Sequence, residues 1–275
     1  MRKIAWLTAA SLLAAIASPL AAQDVPGTSI ANSPPGAPLA PDWAYPQSTV
    51  HNQVGPPAGF HRDTRVENQP IGVFEAQADV GGAIVPGSAS FAAGRYTIRS
   101  AGYNVWYTRD EFRLLWKQMK GDVSLAADIA FPDPNGYGDR KAVLVIRQEL
   151  ADDSKQVVVA LHGAGMIQLA QRPAKGALTK DREFRVGGRG RPEGKSPDSL
   201  ITDIARRIGI EKHGNKFALF VSLEGEPMTQ YGPPLELDLA EPFYVGFGFC
   251  SHLPDVVDSA TFSNVLLVNR AGKVR

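Results

Sequence analysis

The sequence contains one cysteine, Cys250, among 275 residues. A single thiol excludes an intrachain disulfide and any zinc cluster built on several cysteines. Net charge is nearly absent as well, with 29 Lys+Arg against 28 Asp+Glu. That balance excludes a protein held to nucleic acid mainly by its charge. Beyond the N-terminal segment there is no apolar run long enough for a transmembrane helix. Long helical patterns are also scarce, because 27 glycines and 21 prolines punctuate the chain. What remains is 44% hydrophobic residues in short runs, enough to bury a core.

The first segment reads as an address. Met1-Arg2-Lys3 supplies positive charge, an apolar run extends from Ile4 to Ala17, and Pro19 then breaks it ahead of Leu20-Ala21-Ala22-Gln23. This is the layout of a cleaved secretory signal over residues 1–23. The expectation is an exported bacterial protein, periplasmic or extracellular, with Cys250 buried rather than paired. Residues 24–70 hold nine of the 21 prolines. The stretch from 24 to about 50 reads as an extended Pro-rich linker. The alternative is an arm bound through Trp43 and Tyr45, and a protein partner reached through residues 24–70 stays open.

From residue 71 to 270 the pattern is short β-type runs between turns. Ser90 to Ile98 reads as strand, turn, strand. Further runs are 123–129, 141–148, 156–161, 166–171, 206–212, 216–223, 243–250 and 260–269. Turn signals such as Pro132-Asp133-Pro134-Asn135-Gly136 and His162-Gly163-Ala164-Gly165 separate them. Such spacing predicts an all-β, two-sheet antiparallel sandwich, with 271–275 as a tail. Phe112 to Met119 also fits two turns of helix, as does 199–207.

An ordered set of segments carries a family resemblance. It runs through Gly102-Tyr103-Asn104-Val105-Trp106, Phe112 to Trp116, Gly121 to Leu125, Ala142 to Gln148, Ile208 to Asn215, Tyr244 to His252 and Ala260 to Val265. The set resembles a concanavalin A-like lectin/glucanase domain, a two-sheet jelly roll of the kind that precedes TolB-like β-propeller repeats in secreted proteins. The resemblance implies a carbohydrate-type ligand on the concave sheet and assigns no catalytic residue.

Alternation suggests where a ligand sits. In Val245 to His252, one strand face carries Val245, Phe247 and Phe249. The other carries Gly246, Gly248, Cys250 and His252. The bare face predicts a groove floored by Gly246 and Gly248 and walled by His252, or else a segment packed against those glycines. Arg147 and Gln148 end a strand and can bind hydroxyls or a carboxylate. His162 ends another strand at a turn. Trp106, Tyr107, Trp116 and Tyr137 are candidate sugar platforms, Tyr137 being the one placed in a turn.

Other motifs compete. Glu236-Leu237-Asp238-Leu239-Ala240-Glu241 fits the E-x-D-x-x-E spacing of retaining β-glucanases. There, two carboxylates about 5–5.5 Å apart act as nucleophile and acid/base. On that alternative Glu236 and Glu241 are catalytic and Asp238 shares the Glu236 face. The five-residue offset places Glu241 on the opposite face unless a bulge intervenes. Val157 to Gly163 looks like the oxyanion strand of an α/β-hydrolase, but no G-x-S-x-G follows. Asp133 to Asp139 offers oxygens, leaving a structural calcium open, although the residue at the twelfth position of that loop is Leu144 rather than glutamate. No other metal or cofactor is expected. The functional expectation is a secreted non-catalytic binding module for a glycan-type ligand. A β-glucanase or an envelope accessory protein bound to a protein partner is the alternative.

Overall fold

Strand alternation, with one apolar side per strand, dictates a layered structure. In this computed structural model, which describes residues 40–46, 62–185, 207–222 and 226–274, the strands run as follows. They are β1 (Arg65–Glu67), β2 (Ala76–Val80), β3 (Ser88–Ala92), β4 (Arg95–Ser100), β5 (Val105–Trp106) and β6 (Arg109–Asp110). Next come β7 (Phe112–Met119), β8 (Val123–Ala130), β9 (Lys141–Arg147), β10 (Gln156–His162), β11 (Met166–Arg172) and β12 (Lys180–Arg185). The last are β13 (Arg207–His213), β14 (Lys216–Ser222), β15 (Thr229–Glu236), β16 (Phe243–Cys250), β17 (Asp258–Asn269) and β18 (Gly272–Lys273).

Two antiparallel sheets hold these strands, except β5 and β6, which pair only with each other. The front sheet has the order β1-β2-β7-β16-β9-β10-β11-β12. The back sheet has the order β15-β14-β13-β8-β17-β4-β3, with β18 paired to β17. The fold is an all-β antiparallel sandwich of the jelly-roll type. Among the described residues the one helical element is a short 3-10 turn at Asp42–Ala44.

The core lies between the sheets. Val245, Phe247 and Phe249 of β16 point into it, as alternation requires, beside Leu144, Ile146, Val157 and Val159 of β9 and β10. Phe247 stacks on Phe262 at 4.3 Å and meets the edges of Phe74 and Tyr96. Four phenylalanine or tyrosine rings thus lock the two layers at one point.

The front sheet is buried on its other face too. Ala78, Leu114, Val143, Val145, Val158 and Ala160 form a second apolar layer there, joined by Phe112 and Cys250. Val105 covers it from a strap, Tyr103–Glu111, that contains the β5–β6 hairpin. Double-faced burial makes the central strands near-continuous apolar runs. This explains β7: Phe112 to Met119 fits helical spacing because both its sides are covered, yet it pairs with β2 on one side and β16 on the other.

Several boundaries move. β1 pairs with β2, so the domain begins before residue 71, and β18 pairs with β17, so Gly272 and Lys273 belong to the sheet rather than to a tail. Within the Pro-rich arm, residues 40–46 are docked. Trp43 meets the edge of Tyr103 at 5.0 Å, and the Tyr45 hydroxyl donates to Asp255 Oδ2 at 3.1 Å. For these residues the extended linker is corrected to the bound arm. The signal segment 1–23, arm residues 24–39 and 47–61, and 199–206 lie outside the described residues.

The open groove is also corrected. A Cβ on Gly246 would overlap the Leu115 carbonyl oxygen, and one on Gly248 would sit 2.7 Å from Phe112 Cδ2. Both glycines are buried at the close pass of β7, and Val105 of the strap packs in the apolar layer on their face. They floor no open trough.

Candidate functional site

The outer face of the front sheet carries polar side chains at its two ends, with the apolar layer between. Cross-strand register sets both groups. Arg147, Gln156 and Arg172 line up across β9, β10 and β11 at one end. Cys250, Lys141 and His162 line up across β16, β9 and β10 at the other. Directly opposed residues share a face, so each row is a set of neighbours.

The arginine end is closed. Arg172 grips Asp110 of the strap with a two-pronged pair, Nη2 to Oδ1 at 2.6 Å and Nη1 to Oδ2 at 2.9 Å. Gln156 Nε2 adds a third bond to the same carboxylate at 2.8 Å. Arg147 lies 3.6 Å from Asp110 and donates instead to the carbonyls of Glu149 and Ala151. The two arginines therefore titrate differently. Burial pulls Arg147 down to about 10, whereas Arg172, equally penalised by burial, is lifted above its ordinary value by Asp110. Arg147 is wholly buried and anchors the strap, so the expected groove contact is not available to it. Gln148 sits at the rim and clasps the β15–β16 turn, its Oε1 accepting from Ala240 N at 2.7 Å.

The imidazole end is built differently. Lys141 Nζ donates to Asn104 Oδ1 at 2.8 Å and to the Asp139 carbonyl at 3.3 Å, and lies 3.4 Å from His252 Nδ1. His252, at φ +68°, turns its ring to lie parallel to Tyr137, with centroids 5.3 Å apart. The loop that presents Tyr137 and Asp139 is pinned by Arg140. That guanidinium bonds Asp258 Oδ2 at 2.6 Å and the Asp133 carbonyl at 2.7 Å, and lies over the Phe131 ring. Backbone bonds from Gly163 to Arg140 and from Ala164 to Gly138 stitch this loop to the turn after His162. The geometry is thus fixed before any ligand arrives.

His162 stands out within this end. It is 3% exposed, and among the described residues neither ring nitrogen makes a hydrogen bond of good geometry, Asp139 and Gln168 being its polar neighbours. Its Nδ1 is 3.7 Å from Asp139 Oδ1, a carboxylate half open to solvent. Burial, reinforced by the Lys141 charge, pushes its pKa down to about 4, with Asp139 and Gln168 opposing weakly. The imidazole is neutral at pH 7 and offers one donor and one acceptor. Leaving such atoms unsatisfied costs roughly 1–3 kcal/mol. Burial also lowers the pKa of Lys141 and lifts the Cys250 thiol to about 11, so the thiol stays protonated and is no nucleophile.

Three of the residues singled out from sequence, Tyr137, His162 and His252, therefore converge. Arg147, Gln148, Gly246 and Gly248 do not join them. Lys141 and Asn104, which were not anticipated, complete the cluster with Asp139, which the sequence offered only as an oxygen donor for calcium. Lys141 was within reach, since period two from Arg147 through Val145 and Val143 leads to it. Asn104 arrives on the strap, which no local pattern locates. Of the aromatic candidates, Trp116 packs edge-on to Tyr244 at 5.0 Å, and Trp106 and Tyr107 lie on the strap.

The carboxylates of the glucanase-like motif are dispersed. Glu236 is exposed at the end of edge strand β15, opposite Lys216. Asp238 accepts from Asn215 Nδ2 at 3.3 Å, and Glu241 accepts from Gly121 N at 2.7 Å. Asp238 and Glu241 steady different surface turns, and the front-sheet face holds none of the three. Among the described residues no group of three or more His, Cys, Asp or Glu is placed to hold a metal ion. In the loop 133–139 the Asp133 carbonyl accepts from the Arg140 guanidinium at 2.7 Å.

No protein-family model matches the chain, and no curated protein matches it. Solved structures do. A functionally unknown protein from Saccharomyces cerevisiae aligns with TM-score 0.49 and 13% identity, over 67% of this chain and 93% of that one. The carbohydrate-binding module CBM66 from Bacillus subtilis aligns with TM-score 0.38 and 14% identity, over 66% and 91%. A β-1,3-1,4-glucanase (lichenase) from a mouse hindgut metagenome aligns with TM-score 0.38 and 9% identity, over 74% and 93%. These scores all lie below 0.5, and the site rests on its own geometry.

Proposed function

We propose that this protein is an exported, non-catalytic binding module that takes a polar, glycan-type ligand at the imidazole end of the front sheet. The observation that carries the reading is His162, a buried neutral imidazole that makes no hydrogen bond of good geometry among the described residues and has Asp139, a half-open carboxylate, and Gln168 as its polar neighbours. Buried polar atoms in native proteins nearly always have good partners, and a ligand hydroxyl can give the His162 ring a shorter bond than the 3.7 Å approach of Asp139. Neighbouring sugar hydroxyls, each able to donate and accept, suit one donor and one acceptor on the imidazole and a carboxylate at Asp139. The ring of Tyr137, braced by His252, offers the flat apolar surface on which a pyranose face packs. Nothing in the cluster supplies a nucleophile, and the carboxylates of the glucanase-like motif lie elsewhere. A link to TolB-like propeller proteins rests on the sequence resemblance alone.

The test is a panel of polysaccharides and oligosaccharides measured by titration calorimetry against the full chain and His162→Phe. The variant removes both ring nitrogens and keeps a flat side chain of similar bulk. At least one glycan binds the parent, and the variant loses at least tenfold while its urea midpoint at pH 7 holds. A panel with no binder, or a variant that binds as the parent does, overturns the reading.

A further inference from the structure

Every open sheet has edges, and an edge strand exposes a ladder of unpaired backbone groups that another strand can take. Three of the four edges here are guarded. β1 is three residues long with charge at both ends, Arg65 and Glu67. In β12, from Lys180 to Arg185, five of six residues are charged. β15 carries Pro233 and Pro234, and its register with β14 shifts.

The fourth edge, β3, has none of these devices. Ser88-Ala89-Ser90-Phe91-Ala92 has no charge and no proline, and its register with β4 is unbroken. Phe91, on the core-side face, packs on Tyr96 at 4.3 Å yet stays 45% exposed. Among the described residues its outward flank lacks the neighbour that one further strand would provide.

The opposite face of the same edge is charged by its neighbour. Register places Arg99 beside Ser88, Thr97 beside Ser90 and Arg95 beside Ala92. Both arginines are exposed, and among the described residues neither has an ion-pair or hydrogen-bond partner. Ser259 and Thr261 of β17 flank the row on its far side, so no carboxylate lies beside it. The short side chains of Ser88 and Ala92 leave both guanidinium groups free to lean over the edge.

We propose that β3 is a docking edge for an extended acidic peptide segment of a partner protein, which adds a strand to the back sheet. Acidic side chains opposite Ser88 and Ala92 meet Arg99 and Arg95. Apolar side chains opposite Ala89 and Phe91 complete the exposed aromatic flank. The fit is to the pattern acidic, apolar, any, apolar, acidic. Main-chain bonds give such pairing its affinity, and the alternate side chains give it selectivity. A second copy of this chain suits the edge poorly. Pairing β3 with β3 brings Arg95 and Arg99 of both copies to one face, and like charges across strands repel.

The probe is the capped peptide Thr-Glu-Val-Thr-Val-Glu-Thr, which presents the same pattern in either strand direction. The control replaces both glutamates with lysine. Binding is followed on the full chain by amide exchange and chemical-shift changes at low salt. The glutamate peptide protects amides of β3 and binds roughly tenfold tighter than the lysine peptide, as two exposed ion pairs allow. The double variant Arg95→Glu/Arg99→Glu, on a solvated face, reverses that preference. The proposal is overturned by failure of the glutamate peptide to bind, by equal binding of the two peptides, or by an unchanged preference in the double variant. Concentration-dependent protection of β3 without peptide, the mark of a second copy, also overturns it.

Discussion

Two buried groups, His162 on the front sheet and Glu111 on the strap over it, pull stability in opposite directions with pH. The pKa of His162 falls from 6.5 to about 4 on folding, because burial beside Lys141 disfavours the imidazolium. The unfolded chain binds that proton below pH 6.5 and the folded chain does not until about pH 4. The contribution is therefore complete above pH 6.5 and lost as pH falls to about 4. Some 2.5 units at 1.36 kcal/mol each make it about 3 kcal/mol. Glu111, wholly buried on the strap with Arg62 2.9 Å away, moves the other way, from 4.5 to about 7, because burial outweighs Arg62. Its folded form keeps the proton longer, so its contribution is complete below pH 4.5 and lost by about pH 7, again about 3 kcal/mol. The parent profile hides both slopes. The variants separate them, read by urea unfolding at pH 4, 5.5 and 7. His162→Gln leaves the Glu111 slope and gains stability as pH falls from 7 to 4.5. Glu111→Gln leaves the His162 slope and loses stability as pH falls from 6.5 to 4. Remaining carboxylates add a background common to both, so parallel profiles for the two variants refute the reasoning.

Further predictions follow from packing and pairing. Gly248→Ala drives a methyl group onto Phe112 and the β7 backbone and costs about 3 kcal/mol or more, seen as a lower urea midpoint; a loss under 1 kcal/mol contradicts the close pass of β7. Asp110→Asn leaves the Arg172 guanidinium buried without its carboxylate and costs about 3–5 kcal/mol, with faster amide exchange along the strap. Trp43→Ala removes the edge contact to Tyr103 and costs about 1 kcal/mol, raising protease sensitivity around residue 46; an unchanged midpoint contradicts a docked arm.

Much of the fold was legible, and the limits have physical causes. Val245, Phe247 and Phe249 against Gly246, Gly248 and Cys250 is an alternation that fixed which side of β16 enters the core. Alternation says nothing of what covers the reverse, and the glycines that suggested a floor serve the approach of β7. Phe112 to Met119 stayed ambiguous because burial on both faces erases period two. β15 escaped notice because its two prolines sit where only an edge strand tolerates them. In the site, Tyr137, His162 and His252 were each visible as turn or strand-end residues. Their convergence was not, since it depends on the register of β9 with β10 and β16. Lys141 and Arg147 occupy the same face six residues apart, and only the strap, bound at both ends by Asn104 and Asp110, shows that they belong to separate clusters.

The most direct measurement of the binding reading is nitrogen NMR of the ring-labelled histidines during titration with a glycan that binds. A ligand that pairs with His162 moves both of its ring nitrogen resonances and slows exchange of its ring proton, with a smaller change at His252 and none at His213 on the far turn. Saturation of the protein with the His162 resonances unmoved contradicts a ligand at the imidazole end.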